Sequence, residues 1–337
     1  MSMRNYFIRR GLLIIPTLIG VTVLTFVISH MVPGDPARLM VGLFASDEIV
    51  QRMREQLRLN EPIYIQYFEY LWRLARGDFG TSILTKRPVL SDLIRYFPAT
   101  FELTMTAMII SIGGGILLGV ISAVKRDSPF DQFTRLVSLG GVSVPSFYLG
   151  ILLQLALFVY LGWMPGSGRI DPFIATPHTI TGLYVIDSLL TGNWPALVSS
   201  IKHLILPATT LALGTLAVVA RTVRSSMLEV ASQDYIKTAK AQGVSESEIN
   251  YRYALRNALI PVVSLSGLMI GAVLTGTVYI ETIFSWPGMG RYVVKSIFAL
   301  DFPAIMGFTV VTAIIFVSAN LVVDLLYAFL DPRIRYE

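Results

Sequence analysis

A chain of 337 residues that is 54% apolar and only 15% charged, with a mean hydropathy of +0.64, lies far from the roughly 25% charged residues of an ordinary soluble domain. Cysteine is absent, which excludes disulfides and thiolate metal sites, and His30, His178 and His203 stand too far apart to suggest a local metal cluster. The net charge of +5 raises nucleic acid as a partner, but the placement of the basic residues reads as membrane topology instead.

Six apolar runs are each near the length needed to cross a bilayer. They are Gly11 to Val32, Leu103 to Val124, Leu136 to Leu161, Leu204 to Ala220, Leu259 to Ile280 and Ile305 to Phe329. Their apolarity runs around all faces, unlike the striped helices of soluble proteins. The fourth is the shortest and the weakest candidate. The first is longer than a signal-peptide core and has no small-residue cleavage site after it, so it reads as a retained span. With the N terminus inside, fourteen of the 27 Lys and Arg residues fall on inner segments. The two short outer segments hold only Arg169, Lys202, Arg291 and Lys295. This asymmetry predicts N-in, C-in.

In chain order, residues 1–10 form an inner N terminus and 11–337 a single transmembrane domain. The long first outer loop, 33–100, is too long for a plain connection. Asp47 to Leu59 reads as an amphipathic helix with acidic residues in its first turn, and Tyr64 to Leu74 as a second. Three placements are open for these helices: along the outer membrane surface, over the pore, or as a plain cap on the spans. Gly162 to Lys202 reads as irregular loop. Its Gly166-Ser167-Gly168 invites comparison with a nucleophilic serine, but no positioned base is evident, and a glycine-rich turn accounts for it.

The inner segment 221–258 is better specified. Ser232 is placed as the N-cap of a short helix ending at Gly243, a residue suited to a left-handed C′ position. Gln233 and Asp234 fall in its first turn, Lys237 and Lys240 toward its last. Ser245 and Glu248 have the capping-box spacing for a following helix that leads through Arg256 and Asn257 to the fifth span at Pro261. Two fates are open for the short helix. It rests on its own domain with Lys237, Lys240, Arg252 and Arg256 toward anionic lipid, or its Tyr235, Ile236 and Ala239 face docks on a soluble partner. Outside the fifth span, Glu281 to Arg291 marks a tight turn whose Trp286 and Phe284 suit headgroup depth. Asp324, inside the last span, is a functional candidate by default, with a structural pairing to an inner Arg as the plainer account.

The segments Asp234 to Gly243 (DYIKTAKAQG) and Ala254 to Pro261 (ALRNALIP) resemble the cytoplasmic coupling loop of ATP-binding-cassette importer permeases, in the dipeptide and oligopeptide branch. Arg9-Arg10 with Pro16, Thr25-Phe26, Pro33-Gly34-Asp35-Pro36, Gly77-Asp78-Phe79-Gly80-Thr81-Ser82, Val144-Pro145-Ser146-Phe147, Glu281 to Arg291 and Asp331-Pro332-Arg333-Ile334-Arg335 extend the likeness over the chain. The wider superfamily's Glu-Ala-Ala-x-x-x-Gly stands here as Lys237-Thr238-Ala239-Lys240-Ala241-Gln242-Gly243, keeping only Ala239 and Gly243.

The resemblance implies an all-α inner-membrane permease of type I importer architecture with a long periplasmic first loop. It further implies no enzymatic activity or cofactor of its own, with ATP and Mg bound by two partner ATPase subunits. A second homologous permease, a periplasmic or lipid-anchored solute-binding protein and membrane lipid complete its partners, and no nucleic acid is among them. Asp234, Tyr235, Ile236, Lys237, Thr238, Ala239, Lys240, Ala241, Gln242 and Gly243 would form the coupling helix, continued by Arg256, Asn257 and Pro261. Trp286, Pro287, Gly288 and Gly290 would form a periplasmic signature. No Gly-x-x-x-x-Gly-Lys-Ser/Thr phosphate loop occurs in the sequence. The rival readings are a secondary transporter or channel driven by an ion gradient, and an intramembrane hydrolase built on Ser167.

Overall fold

The computed structural model describes residues 3–31, 35–42 and 44–330, and its named elements are all helical. In chain order they are α1 (Met3–Met31), α2 (Pro36–Val41), α3 (Asp47–Gln56), α4 (Ile63–Ala75), α5 (Val89–Ile109), α6 (Gly115–Val124), α7 (Pro129–Ser143) and α8 (Ser146–Gln154). Then follow α9 (Tyr184–Leu190), α10 (Trp194–Ala231), α11 (Asp234–Ala241), α12 (Glu246–Glu248), α13 (Leu255–Ala258), α14 (Ile260–Ile283), α15 (Met289–Phe298) and α16 (Phe302–Leu330). Three π-helical segments, Ile110–Gly114, Leu155–Tyr160 and Ile249–Ala254, interrupt this series. Among the described residues four helical stretches are long and apolar enough to cross a membrane, or up to six if each of two bent pairs is one span.

The apolar runs mark where spans occur but misplace several of their limits. The second span begins at Val89, fourteen residues before Leu103, so the first loop ends before residue 100. The third is two helices, α7 and α8, bent by 110°. The cause is local: Pro145 forbids an α conformation to the residue before it, and Val144 is extended at φ −95°, ψ 126°. The fourth run, the weakest candidate by apolarity, is the longest helix of all, with 38 residues. Its ends carry Lys202, His203, Arg221 and Arg224, which shorten the apolar run without ending the helix. Two-thirds of its most apolar window is covered by protein, so lipid does not dictate its composition. The connection before it is irregular only up to Leu183, because Tyr184–Leu190 is helical and α10 starts at Trp194.

Among the described residues the chain divides into two compact units, one drawing on the segments up to Phe97 and on Arg291–Leu321, the other on Pro98–Gly290 and on residues 322–330. In the first, α1 packs on α4 through Phe26 and Tyr67, whose rings lie 5.3 Å apart, and the Tyr67 hydroxyl meets that of Thr22 at 3.1 Å. Asp35 caps α2 by accepting from Ala37 N, with Pro36 at the first helical position. The buried Asp301 carboxylate accepts from the Ser82 hydroxyl at 2.5 Å and from Leu84 N at 3.0 Å, pinning the turn before α5 to the entry of α16. Both amphipathic helices expected in the first loop are present as α3 and α4.

In the second unit α10 is the hub, touched by α6, α7, α8, α9, α13 and α14. Glycines let it be approached closely. A Cβ on Gly115 would fall 2.5 Å from Val219 Cβ, and one on Gly119 would fall 2.7 Å from both Ala220 O and Val223 Cβ. Gly141 lies against Leu213 O in the same manner. Gly115 and Gly119 are four residues apart on one face, the small-xxx-small spacing by which membrane helices bring their backbones together. Where α6, α7 and α10 meet, the fully buried Asp131 accepts from Arg224 at 2.7 and 2.8 Å, from Arg135 at 2.9 Å and from Asp127 N at 3.0 Å, and also from the Ser122 hydroxyl. A buried carboxylate is tolerated only when paired and hydrogen-bonded in this way.

The segment before α9 is ordered by Asp187, whose carboxylate accepts from Ile180 N, Thr181 N, the Thr181 hydroxyl and Gly182 N at 2.7–3.3 Å. Burial pushes this carboxyl up, but the Thr181 hydroxyl and the three backbone N–H groups outweigh it, so the group is held below the usual carboxylate range. Pro33-Gly34 and Asp331 to Arg335 lie outside the described residues. Asp324 falls on the α16 backbone, with its side chain also outside the description.

Two outcomes are expected. Gly119→Leu should destabilise the helical core by about 1–3 kcal/mol through overpacking, read as a lowered thermal midpoint in detergent. Gly140→Ala, where a Cβ meets nothing within 4 Å, should not. The Asp187 contribution should be complete above pH ~4, the ordinary unfolded value, and should fade as pH falls through its lower folded value. Protease cleavage between 170 and 183 should accelerate on acidification in the native protein, and be fast already at pH 7 in Asp187→Asn.

Candidate docking helix and buried signature turn

Helix α11 is eight residues long, below the length at which an isolated helix holds in water. Its own chain holds it: Ile236 and Ala239 are buried in the hydrophobic core that also contains Val230, Ile249, Ala254 and Ala258. The face expected to meet a partner is therefore divided. Ile236 and Ala239 point inward, because a short helix needs an apolar anchor and they are the two apolar positions three apart. Tyr235 remains exposed, with Asp234, Lys237, Thr238, Lys240, Ala241, Gln242 and Gly243.

The ends of α11 are fixed by hydrogen bonds. Ser232 does not cap it; that residue ends α10, its hydroxyl donating back to Glu229 O at 2.7 Å, and Gln233 occupies the N-cap without a side-chain bond. The C-terminus closes as expected. Gly243 is left-handed at φ +80°, its N–H donates to Lys240 O at 3.0 Å, and Val244 N donates to Ala239 O at 3.1 Å, the paired bonds of a Schellman motif. Ser245 caps α12, its hydroxyl accepting from Glu248 N at 3.3 Å.

The basic residues here are not free to face lipid as a set. Lys237 pairs with Asp234 at 2.8 Å and Arg252 with Glu248 at 2.9 Å, both on exposed ground and hence of small energetic weight. Across the loop, Asn257 Nδ2 donates to the Tyr235 hydroxyl at 2.7 Å, tying α11 to α13. Arg256 and Asn257 are exposed on α13, and Pro261 opens α14 as a residue without an N–H at a first-turn position.

The second constellation lies at the other end of α14. Trp286 and Phe284 are fully buried in the protein, so neither side chain is presented to lipid. The Trp286 indole N–H donates to Ala99 O at 2.9 Å, and the chain folds so tightly that Trp286 N donates to Glu281 O at 2.8 Å. Glu281, itself buried, accepts from the Thr100 hydroxyl at 2.6 Å, while Thr100 Oγ1 accepts from Met289 N at 2.8 Å. The glycines of the signature follow from this carboxylate. A Cβ on Gly288 would sit 2.3 Å from Glu281 Oε1, and one on Gly290 would sit 2.9 Å from Glu281 Oε2 and 2.6 Å from Val278 Cα. Pro287, between Trp286 and Gly288, is half-buried.

Beside this turn lies a buried ion pair that the sequence reading did not single out. Arg169 donates to Glu102 Oε2 at 2.9 and 2.5 Å and to Gly182 O at 2.8 Å, while Val185 N donates to Glu102 Oε1 at 2.8 Å. Its guanidinium lies 3.8 Å from the Tyr184 ring centroid and 5.8 Å from that of Trp286, within cation–π range. Both charges are satisfied, and the loop from Arg169 to Val185 is fastened to α5. The only trace in sequence is a lone acid near the start of an apolar run. Ser167, by contrast, is an exposed residue in a turn shaped by Gly166, whose Cβ position is filled by Phe158, and by Gly168 at φ +84°.

The geometry so described is a presented helix and a charge-locked turn. Comparison with known proteins places the chain in a family. Residues 3–104 match the N-terminal membrane component of binding-protein-dependent transport systems, and residues 115–336 match the binding-protein-dependent transport system inner membrane component. A probable D,D-dipeptide transport system permease of Escherichia coli K12 is 50% identical over 94% of this chain and 93% of its own length. A dipeptide transport system permease of Alkalihalophilus pseudofirmus is 47% identical over 99% of this chain and its entire length. A glutathione transport system permease of another Escherichia coli strain is 39% identical over 99% and 100% respectively. The chain, a multi-pass membrane protein, belongs to the family of binding-protein-dependent transport system inner membrane components.

Proposed function

We propose that this chain is one of two permease halves of an ATP-driven, binding-protein-dependent importer for dipeptides or oligopeptides. The observation that carries the reading is end-to-end similarity to dipeptide transport permeases, at 40–50% identity over nearly the whole chain. The substrate class rests on those relatives' names. The mechanism rests on the presented α11. In this reading the six spans place both termini in the cytoplasm, the bent pairs α7–α8 and α12–α14 each counting as one. The chain does no covalent chemistry, and ATP and Mg are bound by two ATPase subunits beneath it.

The exposed face of α11, with Asp234, Lys237, Thr238, Lys240, Ala241 and Gln242, meets the ATPase groove. Ile236 and Ala239 transmit its displacement into the membrane core. Closure of the ATPases would shift α11 together with the Ile249–Ala254 segment and α13 as one body, since buried side chains and the Asn257–Tyr235 bond join them. Gly243 and the turn after it set the exit direction of the loop.

Co-reconstituted in proteoliposomes with the ATPase, second permease and binding protein of its own system, the chain should support dipeptide uptake that requires ATP. Uptake driven by an ion gradient alone would overturn the reading. Within it, Ala241→Trp on the exposed face should lower uptake per ATP hydrolysed by an order of magnitude, roughly the loss of one well-packed interface contact, at an unchanged thermal midpoint. Ile236→Ala should act differently. It should cost about 2–5 kcal/mol of local stability, seen as new protease cleavage between 232 and 245 without any partner present.

A further inference from the structure

The first unit encloses a cavity of ≈ 640 Å³ that the transport reading does not use. It lies where α1 ends and α16 begins, with Phe26 and His30 on one side, Phe302 and Met306 on the other, and α3 and α4 between. Its lower wall is apolar. Its lining includes three ion pairs, one half-buried, Arg54 with Asp35 at 2.9 Å, and two more exposed, Arg58 with Glu69 at 2.8 Å and Arg73 with Asp78 at 2.8 Å. The Arg73 guanidinium holds the Asp78 carboxyl below its usual range. Three guanidiniums and three carboxylates stand in the lining, so at this rim the charges balance.

Two further features fix the surroundings. Both α1 and α16 are long apolar helices of spanning type, so a cavity at their ends lies at headgroup depth. The outer face of α4 presents Tyr64, Phe68 and Trp72, each more than half exposed and four residues apart, with the Arg76 guanidinium 4.4 Å from the Trp72 ring centroid. An aromatic stripe beside a basic residue at the end of a span is the composition of a membrane-interface anchor.

We infer that this cavity is a binding site for one zwitterionic phospholipid of the phosphatidylethanolamine class. Its phosphate would take charge-assisted hydrogen bonds from the rim guanidiniums, its ammonium would lie against Asp35, Glu69 or Asp78, and its glycerol and upper acyl chains would lie on Phe26, Phe302 and Met306. The balance of signs decides the headgroup. Anionic lipid is recruited by unpaired clusters of Lys and Arg, whereas each guanidinium here already has a carboxylate, and only a ligand carrying both charges complements the rim without leaving one member unpaired. The inference needs only that the chain crosses a membrane, so it stands or falls apart from the proposed substrate.

The test uses the full-length protein in vesicles of equimolar phosphatidylethanolamine and phosphatidylglycerol, each in turn carrying a photoactivatable diazirine on its upper acyl chain. The ethanolamine probe should label peptides containing residues 54–79 and 302–307, about fivefold more than the glycerol probe, as expected for one added charge-assisted contact at a wet rim. Met306→Trp, which fills the floor, and Arg73→Gln, which removes one rim cation, should each reduce that labelling several-fold while labelling elsewhere is unchanged. Equal labelling by the two probes, or labelling of these peptides unaffected by either variant, would overturn the site. Displacement of the label by millimolar alanyl-alanine would identify a peptide site instead and overturn the lipid assignment.

Discussion

The close approach of backbones around α10 is the constraint on which the second unit depends. In a bilayer no water is expelled when apolar helices meet, so packing and internal hydrogen bonds must hold them. The glycines at 115, 119 and 141 answer that need by removing side chains where α6 and α7 cross α10. Enclosure covers two-thirds of the most apolar window of α10, and on the same helix His203 is buried and hydrogen-bonded to Ser199 O and Arg224 is paired with Asp131. The Asp131 cluster and the anchoring of α11 through Val230 and Ile236 both presuppose that enclosure.

Four buried carboxylates are each matched by donors from elsewhere in the fold. Asp131 gathers Arg135 and Arg224, Glu102 holds Arg169, Asp301 fixes the turn from Ser82 to Leu84, and Asp187 collects backbone donors. Each of these carboxylates is buried, and such a group left bare would cost several kcal/mol. Their common effect is to make irregular segments rigid where no regular ladder is available to satisfy the backbone. The turn around Trp286 shows this most clearly, since its glycines are required by the volume of the Glu281 carboxylate and, at Gly290, by the Val278 backbone.

Much of this architecture was legible in the sequence and some of it was not, for identifiable reasons. Apolar runs located spans because lipid contact imposes composition, and they failed at α10, where protein replaces lipid, and at Val89–Phe101, where the helix continues in polar residues. The kink at Val144-Pro145 could be read from proline chemistry, yet the apolar run passed straight through it. Gly243 was correctly placed because a left-handed helix end has a strong local signature. Ser232 was misplaced because serine serves a helix end as readily as a start, and here its hydroxyl bonds backward. The division of Ile236 and Ala239 from Tyr235 was invisible, since a one-sided apolar pattern does not say whose core it enters. The Arg169–Glu102 pair joins residues 67 positions apart, a distance no local pattern reports.

That inward anchoring of α11 has a thermodynamic consequence for any encounter at its surface. Ordering a residue costs roughly 1–2 kcal/mol in backbone entropy, and a loop that became helical only on contact would subtract that from its affinity. Because this helix is already closed by its Schellman turn and seated on Ile236 and Ala239, its ordering is complete before any partner arrives. Association can then be fast and reversible at modest contact area, and a force applied to the helix is delivered to the membrane core instead of being absorbed by a folding segment.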